Sequence, residues 1–136
     1  MIITSNEIEF IVKKKLSRKD TLLFFKDVGF SNEEAILATC EYFNIPVEGS
    51  KNLFLRNIEL MIIVVAIFNE GWEPNWNDPS QYKYFPRFNL SEGFSFYYAI
   101  NYITSTTVPS ALYIKDEATA RYVGKEFVDI YEGFIR

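Results

Sequence analysis

The chain has 136 residues and a formal charge of −4; 49% of it is hydrophobic, 18% aromatic and 24% charged. That length and apolar content suffice for one globular domain with its own core, and they exclude a disordered tail as the main content. The acidic balance, with a pI near 4.9, argues against non-specific binding to duplex DNA.

The single Cys40 has no internal disulfide partner. The opening MIITSNEIEF lacks a basic region followed by an apolar stretch, and the longest apolar run, Leu60 to Phe68, is far short of the roughly 20 residues that span a bilayer. The expectation is a protein of the reducing cytoplasm with no membrane partner. We expect a single domain over 1–136, with 1–70 mainly helical and 71–136 holding an aromatic loop, β-strands and a terminal helix. The fold class is α+β, with N-terminal helices, a small antiparallel β-sheet and a C-terminal helix.

In chain order, Thr4 and Glu7 have the spacing of a capping box ahead of Ile8, Ile11 and Val12. Ser17 and Asp20 repeat the signal before Leu22, Leu23, Phe24 and Phe25, and Gly29 can take the left-handed position that ends a helix. Ser31 and Glu34 open a third helix, which Pro46 closes. Residues 47–55 form a polar connection. A fourth helix is expected over 56–69, apolar on nearly every side and therefore central. Residues 71–90 carry three prolines and six aromatics. They read as an irregular segment ending in a short edge strand, because Pro86 cannot donate to a ladder. Residues 93–104 and 108–114 read as strands paired with each other across Ser105-Thr106-Thr107. Asp116 caps a last helix with Ala120, Val123, Phe127, Ile130, Tyr131 and Phe134 on one face. Gly124 inside that face costs about 1 kcal/mol as helix and can allow close approach to the sheet.

The residue inventory restricts chemistry. There is no histidine, hence no Ser–His or Cys–His nucleophile and no usual zinc ligand set. No glycine-rich phosphate loop and no GxSxG occur. Carboxylates alone could serve a glycosidase, with Glu70, Glu73 and Asp78 beside the tryptophans. A magnesium site could draw on Asp116, Glu117 and Asp129. Solvated turns and helix N-terminal charges explain these carboxylates better. We expect no catalytic residue, no metal and no cofactor.

Binding features are more numerous. Lys13, Lys14, Lys15, Arg18 and Lys19 place five cations within seven residues, suited to RNA phosphates or an acidic surface. The competing reading is lysines that satisfy a helix C-terminus. Tyr82 to Phe88 alternates aromatic and basic residues, and Lys83, Tyr84 and Arg87 could grip single-stranded RNA. Strand alternation equally puts Tyr82, Tyr84 and Phe88 inward with Lys83 and Arg87 in water. Trp72 and Trp76, flanking Pro74, either pin the loop to the core or anchor a partner.

The stretch Gly71-Trp72-Glu73-Pro74-Asn75-Trp76, followed by Tyr82-Lys83-Tyr84 and Gly93-Phe94-Ser95-Phe96, resembles a small family common in Bacteroidetes phages and prophages. So does the ending, Leu112-Tyr113-Ile114-Lys115 leading into Tyr122-Val123-Gly124-Lys125-Glu126-Phe127. In that family a Trp-Pro-Asp-Trp turn, an aromatic strand and a terminal helix recur, and the likeness covers residues 56–136. Asn75 stands where the family usually has Asp, and Ala111 where it usually has Arg. Length, phage setting and a composition suited to an AT-rich genome further resemble type VI-B anti-CRISPR proteins, which inhibit an RNA-guided RNA nuclease. The resemblance implies an inhibitor acting in the cytoplasm of a bacterial host. Its partner would be a host protein or ribonucleoprotein effector, with guide-RNA contact possible. The alternatives are a phage structural or host-takeover binding module and a single-stranded RNA-binding protein.

Overall fold

The computed structural model describes residues 3–136. They divide into two compact units, one ending at Gly49 and the other spanning Ser50–Arg136. The fold is α+β, with helices first, a two-stranded antiparallel sheet after them, and helices again at the end. Among the described residues no helix is long and apolar enough to cross a membrane.

The first unit holds α1 (Ser5–Lys14), α2 (Arg18–Asp27) and α3 (Asn32–Phe43). Each begins where the sequence places a cap. Thr4 and Ser31 form complete capping boxes with Glu7 and Glu34, and the Ser17 hydroxyl accepts from the Asp20 N–H. These bonds satisfy N–H groups that a helix start leaves without partners. α1 and α3 stop at Lys15 and Asn44 in left-handed geometry, and Gly29 takes φ 104° just after α2. Leu22 and Phe25 of α2 and Ala35, Ile36 and Ala38 of α3 are buried. A run of stacked rings, Phe10 on Phe24 at 4.6 Å and Phe25 on Phe30 at 5.1 Å, lines the same unit.

The second unit opens with α4 (Leu53–Asn69). It starts three residues before the expected Arg56, because Asn52 supplies a cap to the Leu55 N–H. Leu60, Met61, Val64, Val65 and Phe68 are buried, as an all-round apolar helix requires. The sheet consists of β1 (Lys83–Asn89) and β2 (Ser95–Tyr102), paired antiparallel.

This corrects the expected pairing of 93–104 with 108–114. β2 folds back on β1 through the turn at 90–94, where Asn89 Oδ1 accepts from Ser91 and Gly93 takes φ 99°. Residues 108–114 instead contain Pro109 and a single 3-10 turn, Ser110–Leu112; only Ile114 meets the sheet, in a two-bond bridge with Tyr84.

The expected single terminal helix is two, α5 (Glu117–Glu126) and α6 (Val128–Ile135). The break falls at Phe127, whose buried ring meets Phe68 edge-on at 6.2 Å. Asp116 caps α5 as expected. Gly124 does permit close approach: a Cβ there would lie 2.6 Å from Phe96 and 2.7 Å from Pro86.

Candidate partner-binding surface

The β1–β2 hairpin stands on a buried lysine. Lys83 is 0% exposed. Its ammonium donates to the backbone carbonyls of Gln81 (2.8 Å), Asp78 (3.1 Å) and Ile103 (2.7 Å). An ammonium has three protons, so its donors are fully used. The Trp76 ring centre lies 5.2 Å from Nζ, adding a cation–π contact in a desolvated place. Neither reading of the sequence anticipates this. Lys83 was expected in water and Tyr82 inward; Lys83 is inside, and Tyr82 is half exposed. The physical reason lies in the carbonyls of the irregular segment. They lack ladder partners, and a buried C=O without a donor is costly.

Trp76 completes the anchorage. Its indole N–H donates to Ser110 Oγ at 2.9 Å, and its ring meets Tyr113 edge-on at 5.0 Å. The Tyr113 hydroxyl accepts from the Thr107 N–H and the Thr106 hydroxyl. Asn69, at the end of α4, donates to Tyr113 O and accepts from the Lys115 N–H. Trp76 is therefore a pin for the loop, and Trp72 is half-buried at a small cavity of about 230 Å³ beside Ile62, Ala66 and Pro74.

What this scaffold presents outward is aromatic. An open groove of about 410 Å³ runs past Phe85, Arg87, Phe88, Leu90, Val108 and Ile135. Arg87 is exposed beside it, with its guanidinium 5.8 Å from the centre of the Tyr98 ring, its cross-strand neighbour. Tyr97 is the extra residue of a β-bulge, since the register passes from Arg87↔Tyr98 to Phe88↔Phe96, and it is 64% exposed. Tyr84 is half-buried with Tyr82 edge-on at 6.4 Å. Burial, aided by Glu117, raises its hydroxyl pKa above the ordinary value. At the start of α4, Leu53, Phe54 and Leu55 are each more than half exposed.

The candidate residues fall in both units. Lys83 and Trp76 meet each other, Arg87 meets Tyr98, and Lys13, Lys14, Lys15, Arg18 and Lys19 belong to the first unit. There Lys13 and Lys14 sit in the last turn of α1, where a helix dipole favours cations. Lys15 occupies the left-handed cap, Arg18 lies over the Phe43 ring at 5.6 Å, and Lys19 is half-buried.

Four of the candidate carboxylates, Glu70, Asp78, Asp116 and Glu117, have structural partners. Glu70 pairs with Lys115 at 3.1 Å, Asp116 caps α5, and Glu117 pairs with Arg121. The Ser80 hydroxyl and N–H, bonded to Asp78, hold its carboxyl below the ordinary range. Among the described residues no three acidic or cysteine side chains gather as a metal site. Tyr97, Tyr98 and the groove escaped the sequence reading. Their one signal was a strand, SFYYAINY, with neighbouring tyrosines and no charge.

Comparison of the chain with protein-family models, with curated proteins and with solved structures finds no match.

Proposed function

We propose that the chain acts by binding: it occupies a surface of a host RNA-guided ribonucleoprotein effector of type VI-B, and so inhibits it without chemistry of its own. The phage-family resemblance supplies the partner. The observation that carries the binding reading is the groove beside Arg87 and Tyr98, mounted on a hairpin that Lys83 and Trp76 fix from beneath. Arginine and tyrosine are the side chains that most often dominate protein interfaces, and rigid anchors lose little entropy on binding. The chain's charge of −4 also suits an effector whose RNA channel is basic. A single-stranded RNA surface along 82–88 is less well supported, since the Lys83 ammonium is already spent on three carbonyls.

The test is titration of purified effector with this protein, reading complex formation and target-RNA cleavage together. Arg87→Glu and Tyr98→Ala are expected to weaken binding at least about tenfold, roughly 1.4 kcal/mol, with the thermal midpoint unchanged. No complex at about 10 µM, where even a weak specific pair assembles, together with undiminished cleavage, refutes the proposal.

A further inference from the structure

Among the described residues, the sheet has one edge that nothing covers with backbone hydrogen bonds. On the β1 side, Tyr84 exchanges both of its backbone bonds with Ile114, at 2.9 and 2.8 Å. Its N–H and C=O therefore point away from β2. In an antiparallel ladder, bonded and non-bonded pairs alternate. With Tyr84↔Asn101 non-bonded, the register makes Lys83↔Tyr102, Phe85↔Ile100 and Arg87↔Tyr98 the bonded pairs. Pro86↔Ala99 is then non-bonded, as a residue without an N–H demands. Consequently Ala99 and Asn101 direct their N–H and C=O groups outward from β2. The sheet has two strands, and no backbone partner outside β1 meets β2 among the described residues.

Most proteins protect such an edge with charge, proline or a bulge. Here Tyr97 supplies a bulge that ends the flat part at Tyr98. The remaining stretch, Tyr98 to Tyr102, has neither charge nor proline. None of the eight residues of β2 is charged, in a chain carrying 14 Lys and Arg and 18 Asp and Glu.

We propose that a second copy of this chain adds its own β2 to this edge, antiparallel, about a two-fold axis at Ile100. That register is the one that matches outward groups to outward groups. Ala99 faces Asn101 of the second copy and Asn101 faces Ala99, both as bonded pairs. Ile100 then faces Ile100 as a non-bonded pair, and Tyr98 faces Tyr102. Every cross-strand pair is uncharged, so two acidic molecules meet along a line where like charges do not oppose, and the contact is isologous and closed. The docking reading does not require this assembly, and the assembly is measured on the protein alone, so each can fail without the other.

Sedimentation over a concentration series is expected to show the mass rising from 15.9 kDa toward twice that value. Non-bonded antiparallel pairs bring Cα atoms to about 4.5 Å, within disulfide range. Ile100→Cys should therefore cross-link to dimer under mild oxidation, while Tyr82→Cys, more exposed to oxidant but off the edge, should not. Asn101→Pro removes an outward donor and leaves the β1–β2 bonds alone; it should abolish the dimer without lowering the melting midpoint. Ile100→Lys, which sets like charges face to face, is the second breaker should the proline disturb folding. A protein that stays monomeric near about 1 mM, the weakest useful affinity, overturns the proposal. So does a dimer that survives both breakers and gives no faster cross-link through Ile100→Cys than through Tyr82→Cys.

Discussion

In the unit up to Gly49, side-chain bonds to the backbone reach three or four residues along the chain: Thr4 with Glu7, Ser17 with Asp20, Ser31 with Glu34, Thr39 with Ala35. In the unit Ser50–Arg136 they reach much further. Lys83 to Ile103 spans 20 residues, Trp76 to Ser110 spans 34, and Asn69 reaches 44 residues to Tyr113 and 46 to Lys115. The two kinds of anchor differ in consequence. A local cap satisfies an N–H that water could otherwise reach, so its loss costs only about 1 kcal/mol. A long-range anchor holds segments that no ladder supports, and where it is buried, as at Lys83 and Asn69, its loss strands the groups it served. The price of long loops closed by side chains is that single polar residues become indispensable.

The sharpest way to break this comparison is Lys83→Met, which keeps the buried stem and removes the ammonium. The carbonyls of Gln81 and Ile103 lose the ammonium at once, and that of Asp78 keeps the Gln81 N–H alone. Charge-assisted bonds contribute about 1.5–3 kcal/mol each and are not additive, so a loss of about 3 kcal/mol or more is expected by chemical denaturation. Hydrogen exchange should quicken at 76–83 and 103–113 first. If Lys83→Met is as stable as the parent, the cradle is not an anchor, and Lys83 returns to the list of groups a partner could use.

That residue also marks where sequence reading stopped. The caps of α1, α2, α3 and α5 were legible because each is a spacing of three between named residue types, and nothing distant can overrule it cheaply. Asn52 carried the same kind of signal for α4 but sat in a polar stretch, where it looked like loop. The pairing of β1 with β2 was not legible. Residues 108–114 have strand composition, yet Pro109 and the turn at 110–112 spend that stretch on packing Leu112 and Tyr113 into the core. The inward lysine was not legible either, because the side-chain period of a strand says which residues share a face but not which face is covered. What covers it here is a loop, whose carbonyls prefer a cation to a tyrosine ring. Of the candidate site, Arg87 and the aromatic character were visible in advance; Tyr98 and the groove depend on register, which composition does not encode.

Gly124→Ala tests a long-range contact made of packing alone. The new methyl would lie 2.6 Å from Phe96 and 2.7 Å from Pro86, one an aromatic ring and the other a rigid ring next to backbone. Overpacking costs about 1–3 kcal/mol, while alanine returns about 1 kcal/mol of helix propensity. A net loss of up to about 2 kcal/mol is expected, with ring-current shifts at Phe96. A stabilised variant would mean that α5 slides on the sheet without cost.

The smallest effect belongs to the first unit. Ser31→Ala removes the hydroxyl that accepts from the Glu34 N–H, and about 1 kcal/mol should be lost at neutral pH. The cap also has a pH signature. The Ser31 N–H, and after it the Ser31 hydroxyl, hold the Glu34 carboxyl below its ordinary pKa. A carboxyl depressed in the folded state favours folding above its unfolded pKa, and that contribution disappears as pH falls through the folded value. Glu34→Gln should therefore lower stability at neutral pH and flatten the acid limb of the stability curve below about pH 4.5, the ordinary range of a glutamate. Ser31→Ala should flatten it less, because the backbone donor remains. An acid limb that is identical in all three proteins would show that the Glu34 bond is made equally well in the unfolded chain. The first unit's caps would then be markers of where helices begin rather than contributors to holding them.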